Sequence, residues 1–202
     1  MTTHSILLAA AIGCAILTAS NVSAQGTDSL STPKATSRWA FLVNSGTLVP
    51  TGAQHDAIKR GNLTAAQLTY VARPALAFTS TVGWARSRDV AVAGDPKLDV
   101  FTYDVGAEVR APRSITGERV TFAPFVGAGA GGRSYDYRKL EIAATHNLAA
   151  YGSVGGELGV GRVRVRLEAR DYVSGFKPLL GNGAARTGND VVVMAGLRFV
   201  SR

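Results

Sequence analysis

From residue 38 to the end, apolar and polar residues alternate along the chain in segments of about ten residues. The plainest segment is "VRVRLEARDY", Val163 to Tyr172. Successive side chains of a strand point to opposite faces. Val163, Val165, Leu167 and Ala169 therefore share one face, and Arg164, Arg166, Glu168 and Arg170 the other. A helix would mix the two sets.

Seven further segments repeat this period. "NDVVVMAGLRF" places Val191, Val193, Ala195, Leu197 and Phe199 together. "DVFTYDVGAEVRA" sets Phe101, Tyr103, Val105, Ala107 and Val109 against Thr102, Asp104, Gly106, Glu108 and Arg110. "LAFTSTVGW" and "AAQLTYVAR" give Leu76, Phe78, Val82, Trp84 and Ala66, Leu68, Tyr70, Ala72, with Ser80 the one polar break. In "LAAYGSVGGELGV" Leu148, Ala150, Val154, Leu158 and Val160 oppose Tyr151, Ser153 and Glu157. "RWAFLVNSGTLV" and "VTFAPFVGAGA" alternate less cleanly but complete a set of eight strands.

The connections alternate too. Short or moderate links are predicted at 73–75, 112–119 and Gly161-Arg162, and long polar ones at roughly 51–62, 86–97, 133–147 and 174–189. Short turns at one end and long loops at the other are the asymmetry of a barrel that crosses an outer membrane. Segment lengths close to the 9–11 residues a tilted strand needs to cross hydrocarbon point the same way. The expected fold is all-β, an eight-stranded antiparallel up-and-down transmembrane β-barrel over residues 38–202. Trp39, Tyr70, Phe122 and Phe199 fall toward the short-turn end, and Trp84 and Phe101 toward the loop end, as two interfacial girdles would.

Closure has a physical cause. In lipid every backbone N–H and C=O needs a partner in the protein, so no open sheet edge is tolerated. Eight strands enclose only enough room for side chains. The inward set expected here is charged: Asp104, Glu108, Arg110, Glu157, Arg164, Arg166, Glu168, Arg170 and Arg198. A two-residue turn at Gly161-Arg162 makes Val160 face Val163 and Glu157 face Arg166. A salt-bridge network filling the lumen, a plug and not an open pore, is the expected outcome.

The start of the chain changes the picture by giving an address. "SILLAAAIGCAILTA", residues 5–19, is apolar and precedes "SNVSAQG", with Val22 and Ala24 placed for cleavage after Ala24. Residues 1–24 thus read as a signal peptide and 25–37, rich in Ser, Thr and Asp, as a flexible lead-in. The one cysteine, Cys14, lies in the apolar run; "AIGC" only faintly resembles a lipidation box. About 178 residues remain after cleavage, enough for one domain, and without cysteine they hold no disulfide or thiolate metal site.

The formal charge of +8 is spread along the mature chain, not clustered in basic blocks, which argues against nucleic acid as a partner. Gly127, Gly129 and Gly132 match G-x-G-x-x-G, but "RSYDYRKLEIAATHN" offers no long helix to receive a pyrophosphate. These glycines read as space for large lumen neighbours such as Arg and Tyr. No cofactor or metal is expected. After cleavage the histidines are His55 and His146, both in expected loops and without a serine or carboxylate arranged for lipid hydrolysis. The chain therefore reads as non-catalytic, with a lipid-modifying outer-membrane enzyme the weaker alternative.

On these strands and on the terminal "VVVMAGLRF", the chain resembles the small eight-stranded outer-membrane barrels of Gram-negative bacteria, the OmpA/OmpX type, over residues 38 to 199. That resemblance implies an outer-membrane location, a monomer, and recognition of the last strand by the outer-membrane assembly machinery, with Phe199 as its aromatic signal. Val200, Ser201 and Arg202 follow where the aromatic is normally terminal. The partners expected are outer-membrane lipid and lipopolysaccharide, whose phosphates suit the loop cations Lys59, Arg60, Arg86, Arg88, Lys97, Arg133, Arg138, Lys139, Lys177 and Arg186. Alternation by itself leaves open a soluble, lipocalin-like barrel with its apolar faces inward around a small apolar ligand. Girdles, loop asymmetry and the C-terminal segment favour the membrane.

Overall fold

The computed structural model describes residues 38–111, 115–116, 120–138, 140–141, 143–160, 163–176 and 186–199. The expected signal peptide, the lead-in with Cys14 before it, and the Gly161-Arg162 turn lie outside the described residues. The strands are β1 (Trp39–Thr51), β2 (Gly61–Arg73), β3 (Leu76–Arg88), β4 (Lys97–Arg110), β5 (Ile115–Thr116), β6 (Thr121–Tyr137), β7 (Thr145–Val160), β8 (Val163–Phe176) and β9 (Arg186–Phe199). Two-residue β5 pairs only with β6; the other eight form the wall.

Every wall strand pairs antiparallel with its neighbours in sequence, β9 returns to β1, and β4 pairs directly with β6. The sheet is a closed eight-stranded barrel with no edge to leave backbone groups unpaired. Its stagger can be followed through paired residues. Starting at Ala40, the path runs through Thr69, Thr79, Gly106, Gly129, Tyr151, Tyr172 and Asp190 and reaches β1 again at Pro50, ten residues on. Ten residues of stagger over eight strands tilt the strands by about 40° and set a backbone radius of roughly 8 Å. The 13 residues of β1 then rise roughly 33 Å, enough for a hydrocarbon core of about 30 Å.

Val160 pairs with Val163 and Glu157 with Arg166, the register that the two-residue turn predicts. The wall strands run 13 to 17 residues, longer than expected, so the stretches between them at 52–60, 89–96 and 138–144 are shorter than the polar segments suggested. The pairing continues past the apolar segments because backbone groups are satisfied there as well as in the bilayer. Polarity marks the end of the apolar face, not the end of the strand.

The outer surface is apolar. Val105 is 63 % exposed, Leu148 89 %, and Phe41, Phe78, Val82, Val154, Leu167 and Leu197 stand out beside them. The soluble alternative needs these faces inward, and they point outward. A band of this extent does not belong in water.

The interior has two layers. Toward the termini it is charged. Toward the loops, Leu48, Leu63, Leu98, Val100, Val192 and Met194 pack with Tyr135, Tyr137, Tyr151 and Tyr172. The first loop joins this layer. Gly52, in the left-handed region at φ 58°, starts a 3-10 turn through Gln54, and Gln54 and Ile58 are buried beneath it. Ile58 also bridges to Asp89 through the backbone. The sequence reading placed this segment outside as a polar loop; its burial comes from the mouth of the barrel it covers.

Candidate functional site

The charged layer is built by residues two apart on single strands, which is why they share a face. On β8, Arg164, Arg166, Glu168 and Arg170 all point inward. Glu168 joins two arginines: Oε2 accepts from Arg166 at 2.8 Å and Oε1 from Arg170 at 2.6 Å. Arg166 also pairs with Glu108 and, at 3.4 Å, with Glu157, and its guanidinium lies 3.8 Å over the Phe125 ring. Arg198 donates to both Glu157 oxygens at 3.0 and 3.1 Å. Arg110 reaches Glu108 at 3.0 Å, and Arg164, partly exposed at the rim, stands 4.0 Å from Glu157. Arg170 continues the chain to Asp104 at 3.0 Å and to Gln67 and Thr81 at 3.2 Å each. The Tyr172 hydroxyl closes it by donating to Asp104 at 2.8 Å. The structure thus brings all nine sequence-predicted lumen residues into one inward network.

Three further charges line the lumen that sequence reasoning placed in loops or left out. Arg133 is 0 % exposed, pairs with Asp190 and lies 4.3 Å over the Tyr172 ring. It is not available to lipopolysaccharide, because β6 runs on to Tyr137 and turns Arg133 inward. The Gln54 amide nitrogen faces Asp190 at 2.7 and 3.2 Å, with its oxygen toward Tyr135. Asp89 accepts from the Tyr137 hydroxyl at 2.7 Å. The alternation of Arg133, Tyr135 and Tyr137 was the available signal. Among the described residues, six arginines inside (Arg110, Arg133, Arg164, Arg166, Arg170, Arg198) face six carboxylates (Asp89, Asp104, Glu108, Glu157, Glu168, Asp190). The lumen is balanced, so the surplus of +8 lies elsewhere.

The glycine motif has a packing role. Gly127 and Gly129 face inward on β6, and among the described residues no helix follows Gly132, where the strand runs on to Tyr137. A Cβ on Gly129 or on its partner Gly106 would run into Tyr151, whose ring sits 5.2 Å from that of Tyr172. A Cβ on outward-facing Gly132 would meet Tyr103.

Of the girdle aromatics, Trp39 and Tyr70 pair at 4.8 Å at the terminus end, and Trp84 and Phe101 stack at 6.4 Å and 8° at the loop end. The Phe122 ring lies over Gly156 on the outside. Phe199 pairs through its backbone with Val163; its side chain is outside the described residues. Above Trp84 the outer wall carries a groove lined by Lys59, Arg60, Arg86, Arg88, Lys97 and Arg138, with one acid, Asp99. The positions of Lys139, Lys177 and the Arg186 side chain are outside the described residues. The two histidines are not brought together with a nucleophile: His55 Nδ1 meets the Pro50 carbonyl at 3.4 Å, and His146 is exposed on β7.

The closed shape, the apolar exterior and the filled interior define the class: a transmembrane β-barrel of the small outer-membrane type. A known structure shares the fold. Neisserial surface protein A superposes with a TM-score of 0.58 at 12 % identity, covering 82 % of this chain and 99 % of its own. The outer-membrane protein AlkL in lipid bilayers gives 0.49 at 12 % identity over 88 % of this chain and 97 % of its own. The N-terminal β-barrel domain of Pseudomonas aeruginosa OprF gives 0.46 at 11 % identity over 82 % and 100 %. No protein-family model and no curated protein sequence matches the chain.

Proposed function

We propose that this protein is a non-catalytic outer-membrane β-barrel, closed by its own side chains, that serves the cell envelope as a structural or surface-interaction element. One observation carries the reading: the wall turns its apolar side outward while a charge-balanced network and an apolar layer fill the inside. A pore would need one continuous polar path, and an apolar carrier would need an empty apolar cavity. Neither matches an interior in which Arg133, Arg166 and Arg170 are at most 1 % exposed. The histidines lack the convergent base and nucleophile that hydrolysis of lipid requires.

A closed barrel resists detergent until heated. Protein extracted from the outer-membrane fraction should therefore run at different positions on a gel before and after boiling. Recovery as a soluble periplasmic protein with no such shift would overturn the reading.

A further inference from the structure

We propose that the outer wall from β4 across β3, β2 and β1 to β9 holds a specific site for an anionic glycolipid of the outer leaflet, phosphates above and an acyl chain below. The proposal rests on the reading that this wall stands in a membrane. Its upper part is the basic groove, of ≈ 350 Å³. Arg86 and Arg88 lie two and four residues loopward of Trp84 on the outward side of β3, and Lys97 pairs in register with Arg88. Lys59 and Arg60 are brought alongside because the Lys59 N–H donates to the Arg88 carbonyl at 2.9 Å. The cations are thus fixed by backbone pairing at one edge of the apolar band.

Their neutralisation is incomplete. Asp99 is the one acid in the groove, and both its oxygens are taken by Arg138 at 2.6 and 2.8 Å. Among the described residues no ion pair reaches Lys59, Arg60, Arg86, Arg88 or Lys97. Like charges held together favour a multivalent anion, and guanidinium groups suit phosphate oxygens in pairs. Arg86 is already held, 4.0 Å over the Trp84 ring.

What lies below Trp84 selects the kind of anion. A second groove, ≈ 300 Å³, runs between Trp84 and Phe101 over Val43, Thr64, Ala66 and Val82. It shares Val43 and Thr64 with a third, ≈ 450 Å³, that continues down the wall past Ala195 to Leu197 and Phe41. Small residues (Thr64, Ala66 and Ala195) between large apolar ones leave an apolar trough along the wall, suited to a hydrocarbon chain. A free anion or a nucleic acid has no use for it. A phosphorylated glycolipid fits both parts.

The test uses Trp84 as the reporter. The chain has two tryptophans, so W39F leaves Trp84 alone. The folded barrel in detergent micelles is titrated with diphosphoryl lipid A, with phosphatidylcholine and with inorganic phosphate. A saturable change in Trp84 emission is expected with the diphosphoryl glycolipid only. R86Q/R88Q should weaken it about 30-fold, since each cation near a lipid phosphate contributes a factor of about five. The pair K59Q/K97Q, titrated in parallel, should do the same. If both pairs titrate like the parent, the glycolipid site is wrong; saturation by inorganic phosphate alone would reduce it to a small-anion site and overturn it equally. Each variant is checked for its heat-dependent gel shift, whose loss would count against the barrel itself and not against the lipid site.

Discussion

A glycine on this wall has two meanings, set by which face it occupies. Gly129 faces inward, where a Cβ would strike the Tyr151 ring; Gly152 faces outward, where a Cβ meets nothing within 4 Å. Gly129→Val should therefore destabilise the barrel by roughly 1–3 kcal/mol through overpacking, while Gly152→Val should be neutral or slightly favourable, since valine suits a strand. The Cβ would meet both the Tyr151 ring and the Val105 carbonyl oxygen, so Tyr151→Ala should lower the cost of Gly129→Val in part, and the double variant should be more stable than the two single costs predict. Urea midpoints of protein refolded into lipid vesicles measure all four. Equal effects at the two glycines would show that the inward glycines are not placed for Tyr151.

Strand β8 carries four of the twelve inward charges, more than any other strand, and its inward acid, Glu168, links two of its own arginines. Glu168→Gln keeps the shape of the side chain but leaves Arg166 and Arg170, each 1 % exposed, with one carboxylate fewer between them. Removing one partner of a buried pair typically costs about 3–5 kcal/mol. The expected result is a fall of that size in urea stability, against no change for the exposed Glu141→Gln; an unaltered midpoint would mean that the network is strongly hydrated. This strand was also the most legible in the sequence, because "VRVRLEAR" separates charge from apolar groups without exception, so period and face were both fixed. β6 was legible only in part. Its outward residues from Ala128 to Gly132 are small and its loop-end residues are polar on both faces, so Arg133 to Tyr137 read as loop although the strand continues. The burial of Gln54 and Ile58 left no local signal at all. A loop sinks into a barrel mouth because of what surrounds it, and a single segment's pattern does not carry that. The basic groove was visible as a set of loop cations, but not as one site on one wall.

At the scale of the whole molecule the lumen is closed twice, in series. The terminus-side layer is ionic and the loop-side layer is apolar and aromatic around the buried Arg133–Asp190 pair, so an ion passing through would have to displace an arginine network and then a second packed layer. Opening one layer should not open the barrel. The pair Glu108→Ala with Arg166→Ala removes two partners together and keeps the charge balanced, and Tyr151→Ala with Tyr172→Ala thins the second layer, where the rings stand 5.2 Å apart. In planar lipid bilayers the parent and both double variants should show only baseline current, and the quadruple variant should show steady conductance. An eight-stranded barrel has room for little more than its own side chains, so the current expected even then is small compared with that of a wide porin. Steady conductance in the parent would contradict a closed lumen, and conductance in either double variant would show that one layer alone does the sealing.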